Sequence, residues 1–152
     1  MQRLLPPLLF LPLLVISVVL GLLVPVAGPL TWALRILGVP VAAAGLTLNV
    51  GGAGLFQRTG TNIKTFNDPG VLVTDGPFRF TRNPMYLGFT LMLSGAALLV
   101  GTLSAWIGAA VFFAAANAWY IPFEEDRMRS TFGSSYDDYR RRVPRWLGPV
   151  RS

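Results

Sequence analysis

The chain has 152 residues, of which 53% are hydrophobic and 13% charged, with a net charge of +6 and a mean hydropathy of +0.53. A soluble domain carries roughly 25% charged residues, so this composition is that of a membrane protein. Cysteine and histidine are absent, which excludes disulfides, thiolate nucleophiles, imidazole bases and Cys/His metal sites; no metal centre is expected.

Uncharged runs extend over Leu4 to Leu34, Ile36 to Phe56 and Pro84 to Phe123. A helical bilayer crossing takes about 20 apolar residues. The third run has 40 residues with Gly101-Thr102 near its middle, the natural turn of a hairpin. The sequence therefore predicts an all-α, polytopic membrane protein with four transmembrane helices near 5–25, 33–56, 84–101 and 103–122, forming a single integral membrane domain over 1–152. The first run is longer than the core of a secretory signal, and Pro25-Val26-Ala27 makes a poor cleavage site, so it reads as a retained helix.

In the second helix, Ala42-Ala43-Ala44-Gly45 and Gly51-Gly52-Ala53-Gly54 provide small side chains that allow close helix packing in lipid. Gly52 and Gly54 also echo a nucleotide-binding loop, but without the flanking strand they read as packing residues. The following loop, 57–83, carries turns at Asn67-Asp68-Pro69-Gly70 and at Asp75-Gly76-Pro77. Between them Val71-Leu72-Val73 is apolar and β-prone, and is expected to be a short extended piece walling a cavity at the membrane face. Pro84 suits the first turn of the third helix, and Asn83 is placed to cap it.

The fourth helix is expected to run through Glu124, Glu125 and Asp126 into water and to end at Gly133. Ser134 or Ser135 would then cap a C-terminal amphipathic helix. Its apolar stripe of Phe132, Tyr136, Tyr139, Val143 and Trp146 suits a helix on the membrane surface or one folded back over the loop. With four crossings, the N-terminus, loop 57–83 and tail 123–152 share one side. That side carries 12 of the 13 basic residues, all but Arg35, and all seven acids. The positive-inside rule puts both termini and any charged site in the cytoplasm, in a cytoplasmic (inner) membrane. The basic excess is explained by topology and anionic lipid, and nucleic acid is not an expected partner.

A tight hairpin makes the start of the third helix neighbour the end of the fourth. Arg79, Arg82, Asn83 and Tyr86 then face Glu124, Glu125 and Asp126, while Asn117 and Tyr120 continue a polar stripe into the apolar zone. From the residues alone this is either an ion pair locking two helices or a site.

GPFRFTRNPMYLG at 76–88, Glu124-Glu125, and FGSSYDDYRRRVPRW at 132–146 resemble the isoprenylcysteine carboxyl methyltransferase and phospholipid methyltransferase superfamily. The resemblance covers roughly residues 55–147. It implies S-adenosylmethionine as cofactor and a membrane-borne lipophilic acceptor, either a carboxylate or a lipid headgroup. The cofactor region it implies is 70–88 plus 117–146, with contacts from Val71, Leu72, Val73, Phe78, Asn83, Pro84, Met85, Tyr86 and Glu124. A catalytic residue is not assigned; Asn83, Tyr120 and Glu125 are the candidates. Many prenylcysteine enzymes have histidine where Asn83 stands, and an arginine where Tyr120 stands. An alternative resemblance, to sterol reductases, implies NADPH with Arg140-Arg141-Arg142 on its 2′-phosphate, and a non-enzymatic membrane scaffold is the third reading.

Overall fold

The computed structural model describes residues 5–27, 30–59 and 70–150. Arg3, Lys64, Asp68 and Arg151, and the expected turn at Asn67-Asp68-Pro69, lie outside the described residues. Within them the protein is all helical: α1 (Pro6–Leu23), α2 (Trp32–Ile36), α3 (Gly38–Thr59), α4 (Pro84–Val100), α5 (Ile107–Ala115), α6 (Ile121–Phe132) and α7 (Ser134–Arg142). Short 3-10 turns occupy Gly76–Arg79 and Leu103–Trp106, and a π segment, Ala116–Tyr120, joins α5 to α6.

Three helical stretches are long and apolar enough to cross a membrane: Pro6–Leu23, Trp32–Arg58 and Leu103–Phe132. The apolar helix α4 has 17 residues, about 26 Å at about 1.5 Å per residue, slightly short of a hydrocarbon core of about 30 Å. The last stretch continues ten residues past the expected crossing at 103–122 and ends at Gly133 as the sequence predicts, where a φ of 52° favours glycine. Its 30 residues span about 45 Å, so the acid-bearing end projects beyond a hydrocarbon core. Gly101 terminates α4 at φ 81° and turns the chain as the sequence predicts.

Helix α4 sits at the centre, packed on α3, α1 and α5. Lipid tails are as apolar as leucine, so helices here are held by close packing and hydrogen bonds rather than by expulsion of water. Glycines supply the close approach on the α3–α4 seam. A Cβ at Gly95 would lie 2.7 Å from the Gly38 carbonyl oxygen and 2.8 Å from Ala42 Cβ, and one at Gly45 would lie 2.9 Å from Met92 Cγ. The small-residue segment of α3 thus packs as expected at Ala42 and Gly45, and Gly52 faces Met85, whereas a Cβ at Gly51 or Gly54 would meet nothing within 4 Å.

The opposite face of α4 joins a core of Phe10, Leu13, Tyr86, Leu93, Phe112, Tyr120 and Ile121. At the hairpin end the Ser17 hydroxyl accepts from Gly108 N at 3.1 Å, satisfying an early N–H of α5. The Thr102 hydroxyl donates to Gly21 O at 3.1 Å, and Arg35 Nε donates to Leu99 O at 2.7 Å, a cation closing the C-terminus of α4. The other end, where both α4 and α6 begin, holds the polar cluster.

Candidate functional site

The segment Thr81-Arg82-Asn83 enters α4 through an extended turn. The expected side-chain cap by Asn83 is not made. Its Nδ2 instead donates to Arg145 O at 2.9 Å, and its backbone N–H goes to Thr81 Oγ1 at 3.2 Å. The reason is a strap formed by the chain after α7. Arg82 N donates to Pro144 O at 2.9 Å, and Thr81 Oγ1 donates to Arg145 O at 3.1 Å. A competing acceptor from the C-terminal tail outbids the local cap.

The π segment sets the register of the acid-bearing helix. Pro122 has no N–H to give back to the preceding turn, and the ladder loosens just before it. A π turn spends one more residue than an α turn, so Asn117 comes level with Glu125 rather than with Glu124. Arg145 bridges the two: Nε and Nη2 donate to Glu125 Oε1 and Oε2 at 3.0 and 2.6 Å, and Nη1 donates to Asn117 Oδ1 at 3.2 Å. Trp146 Nε1 donates to the same Asn117 oxygen at 3.1 Å, and Arg82 Nη1 donates to Glu125 Oε1 at 2.9 Å. Glu125 is therefore held between two guanidiniums, and Arg82 braces the end of this helix as the sequence suggests. The bidentate bond to Glu125 raises the Arg145 pKa above its usual value, the effect expected of a cation tied to a carboxylate.

One residue earlier, Glu124 takes a different partner. Its Oε1 accepts from the Tyr86 hydroxyl at 2.8 Å, and the Tyr86 ring stacks on Tyr120 with centroids 5.9 Å apart. A cavity of about 180 Å³ opens beside this pair, between the start of α1, the end of α3 and the start of α4. Phe56, Phe78, Tyr86 and Phe89 give it aromatic walls, and Arg82 and Glu124 are its charged lining among the described residues. A smaller space of about 40 Å³ lies behind it, lined by Leu72, Val73, Glu125, Tyr136 and Tyr139. The two share Phe56, Phe78, Arg82, Asn83 and Glu124 as a common rim.

Helix α7 is folded back over the loop, the second of the two expected placements. Its N-cap is Gly133, and neither Ser134 nor Ser135 caps it, because the φ 52°, ψ −126° turn at Gly133 already reverses the chain. Tyr136, Tyr139 and Val143 are buried against Leu72, Met128 and Phe132. The Tyr139 hydroxyl donates to Phe78 O at 2.7 Å. Burial raises the pKa of Tyr139, with Arg82 opposing; burial likewise raises that of Tyr136.

This has a pH consequence. A raised folded-state tyrosine pKa means that the folded state prefers the neutral phenol. The stability it contributes is complete below the unfolded value of about 10 and is lost as pH rises through the folded value. Docking of α7 should therefore weaken above about pH 10, and Tyr139→Phe should remove part of that dependence while costing about 1 kcal/mol at neutral pH for the lost hydrogen bond. Thermal melting from pH 8 to 11, alongside phenolate absorbance, checks it. Identical pH profiles for the two proteins would refute it.

The expected site residues are placed as follows. Leu72, Val73, Phe78, Asn83, Pro84, Met85, Tyr86 and Glu124 line one or both cavities, while Val71 is 48% exposed and lines neither. Of the catalytic candidates, Asn83 is on the common rim, Glu125 lines the smaller space but is committed to two arginines, and Tyr120 is buried behind Tyr86. Arg79 and Asp126 are exposed, and Arg140, Arg141 and Arg142 form an exposed basic face away from both cavities. Arg145 was not singled out by its sequence position. Its signals are its place in the family-like segment 132–146 and its position beside Pro144, which ends α7 and frees the chain to form the strap.

Comparison with known proteins gives this geometry a context. A family model described as phospholipid methyltransferase matches residues 33–135. A protein-S-isoprenylcysteine O-methyltransferase of Schizosaccharomyces pombe is 33% identical over 78 residues, 51% of this chain and 33% of the yeast protein. Protein-S-isoprenylcysteine O-methyltransferase B of Arabidopsis thaliana is 34% identical over 73 residues, 48% of this chain and 37% of the plant protein. An uncharacterized protein of Haemophilus influenzae is 38% identical over 63 residues, 41% of this chain and all of that protein. The aligned stretch is thus about a third of either named enzyme. No solved structure matches the chain.

Proposed function

The chain belongs to the phospholipid methyltransferase family, and from that premise we propose that it is an S-adenosylmethionine-dependent methyltransferase acting on a membrane-borne lipophilic acceptor, a carboxylate or a lipid headgroup. The observation that carries the reading is the Tyr86–Glu124 hydrogen bond at the rim shared by the two cavities. When bound, the cofactor supplies an electrophilic methyl group on a sulfonium cation. The residues fit such a group: four aromatic rings and one carboxylate surround the larger cavity, an environment that favours a cation. Glu124 would accept from the ribose hydroxyls or ammonium group, with Tyr86 fixing its rotamer, and Leu72, Val73 and Phe78 would enclose the adenosine side. Leu5, Pro6, Pro7 and Phe89 would receive the apolar body of the acceptor.

The residues argue for positioning rather than proton abstraction. Both Glu125 oxygens are taken by Arg82 and Arg145, which leaves it poorly placed to act as a base. An acceptor carboxylate is already ionised at neutral pH and needs only alignment with the methyl group, which favours an acid over an amine. With α4 counted as a short third crossing of four, the positive-inside rule supports a cytoplasmic site in this reading.

Titration calorimetry with S-adenosylhomocysteine tests the reading. Wild-type protein should bind it, and Glu124→Ala should weaken binding by about thirtyfold, the cost of removing a charged partner from a partly buried site. Asp137→Ala should leave binding unchanged, because Asp137 pairs only with exposed Arg129 among the described residues. Absence of wild-type binding at millimolar concentration, or stabilisation by NADPH instead, would overturn the proposal.

A further inference from the structure

Arg82 keeps one edge of its guanidinium without a partner at the cavity wall. Its side chain is 10% exposed, and Nη1 donates to Glu125 Oε1 at 2.9 Å and to the Tyr136 hydroxyl at 3.2 Å. Nε is enclosed and has no hydrogen-bond partner. No described residue takes a hydrogen bond from Nη2 either. Nε and Nη2 form the side of the guanidinium that presents two parallel N–H groups, the arrangement that matches both oxygens of a planar carboxylate. Buried charged donors without acceptors are destabilising, and such an orphan calls for a specific explanation.

Arg145 shows the contrast. It uses Nε, Nη1 and Nη2 on Glu125 and Asn117, so it is a structural clamp with every nitrogen engaged. Arg82 and Glu124 both line the two cavities. One cation and one anion among the described lining residues, the rest of them uncharged, select a monoanionic or zwitterionic group over a phosphate dianion, which Glu124 would repel.

We propose that the Nε/Nη2 edge of Arg82, uncovered by a small rotation of its side chain, holds a carboxylate bound in the larger cavity. This deepens the methyltransferase reading and rests on it for the two sources of that carboxylate: the amino-acid tail of the cofactor or the methyl acceptor itself. Calorimetry on purified full-length protein in detergent distinguishes them with two matched pairs of probes. The first pair is S-adenosylhomocysteine and its decarboxylated counterpart, which retains the amine; the second is palmitate and hexadecanol.

If the cofactor supplies the carboxylate, Arg82→Gln weakens S-adenosylhomocysteine by about thirtyfold and leaves the decarboxylated compound within about twofold. If the acceptor supplies it, the same selective loss is seen with palmitate against hexadecanol. Arg82→Lys, which keeps the charge but not the fork, should recover only part of the loss in either arm. Because Arg82→Gln also removes a Glu125 partner, wild-type preference for each acid over its carboxyl-free partner is measured independently. Equal weakening of both members of each pair, or no wild-type preference in either pair, overturns the fork. Wild-type protein that binds no S-adenosylhomocysteine but binds palmitate in an Arg82-dependent way keeps the fork and rejects the methyltransferase reading.

Discussion

Glu125→Ala is expected to destabilise the protein by about 3–5 kcal/mol, the range for stripping the partner from a buried ion pair. Glu125 is 13% exposed on its side chain and accepts three hydrogen bonds from two arginines, one of them 10% exposed. Its removal strands Arg82 next to the cavity and releases Arg145, which also loosens the strap that holds Asn83. Glu125→Gln keeps an acceptor and loses the charge, so an intermediate loss should result. Unfolding by titration with denaturing detergent, followed by circular dichroism, measures both. The exposed pair Arg129–Asp137, at 3.3 Å and 47% and 41% exposed, is the internal control, and its disruption should cost about 0–1 kcal/mol. A loss from Glu125→Ala no larger than that control would mean that the cluster is not a structural keystone.

Gly95→Leu should be comparably damaging for a different reason. The added Cβ would stand 2.7 Å from the Gly38 carbonyl oxygen and from the Ala42 nitrogen, both backbone atoms that no side-chain rotation can move. Helices α3 and α4 must separate, and the cost should reach about 3 kcal/mol, the upper end for overpacking. Separation would also part Phe56 of α3 from Met85 of α4, both of which line the larger cavity, so cofactor binding should fall with stability. Gly51→Leu tests the specificity of this account, since its Cβ meets nothing within 4 Å. It should be neutral or slightly stabilising, because glycine is a poor helix former. If Gly51→Leu proves as harmful as Gly95→Leu, the α3–α4 seam is wrongly placed.

The long apolar runs made the spanning helices readable in the sequence, because length and hydropathy decide whether a segment can cross lipid. The hairpin at Gly101 was readable as well, since a left-handed turn demands glycine. Which glycines of α3 faced α4 was not readable: Gly45 and Gly51 are equally small, and only the pairing register separates them. The failed cap at Asn83 has the same origin. Local preference favours a cap, but a carbonyl arriving from Arg145, far along the chain, takes the amide. The π segment shifted Asn117 from Glu124 to Glu125, a change that no α-periodic projection contains. The grouping of Tyr86 with Glu124 follows from the tight hairpin; the charges alone leave a helix-locking ion pair and a site as equal choices, and only the family resemblance implies a cofactor role for the two residues. The structure holds both, on adjacent residues: Glu125 locks, and Glu124 lines the cavity.

The strap at Pro144 to Trp146 also dictates an order of assembly. Arg145 and Trp146 are the last-made members of the polar cluster, so the bonds they give to Asn83, Asn117 and Glu125 can close only after every helix that carries those partners has been synthesised. A chain halted before residue 144 should hold an open, uncompensated cluster at Arg82, Asn83, Asn117 and Glu125, where the strap would have covered it.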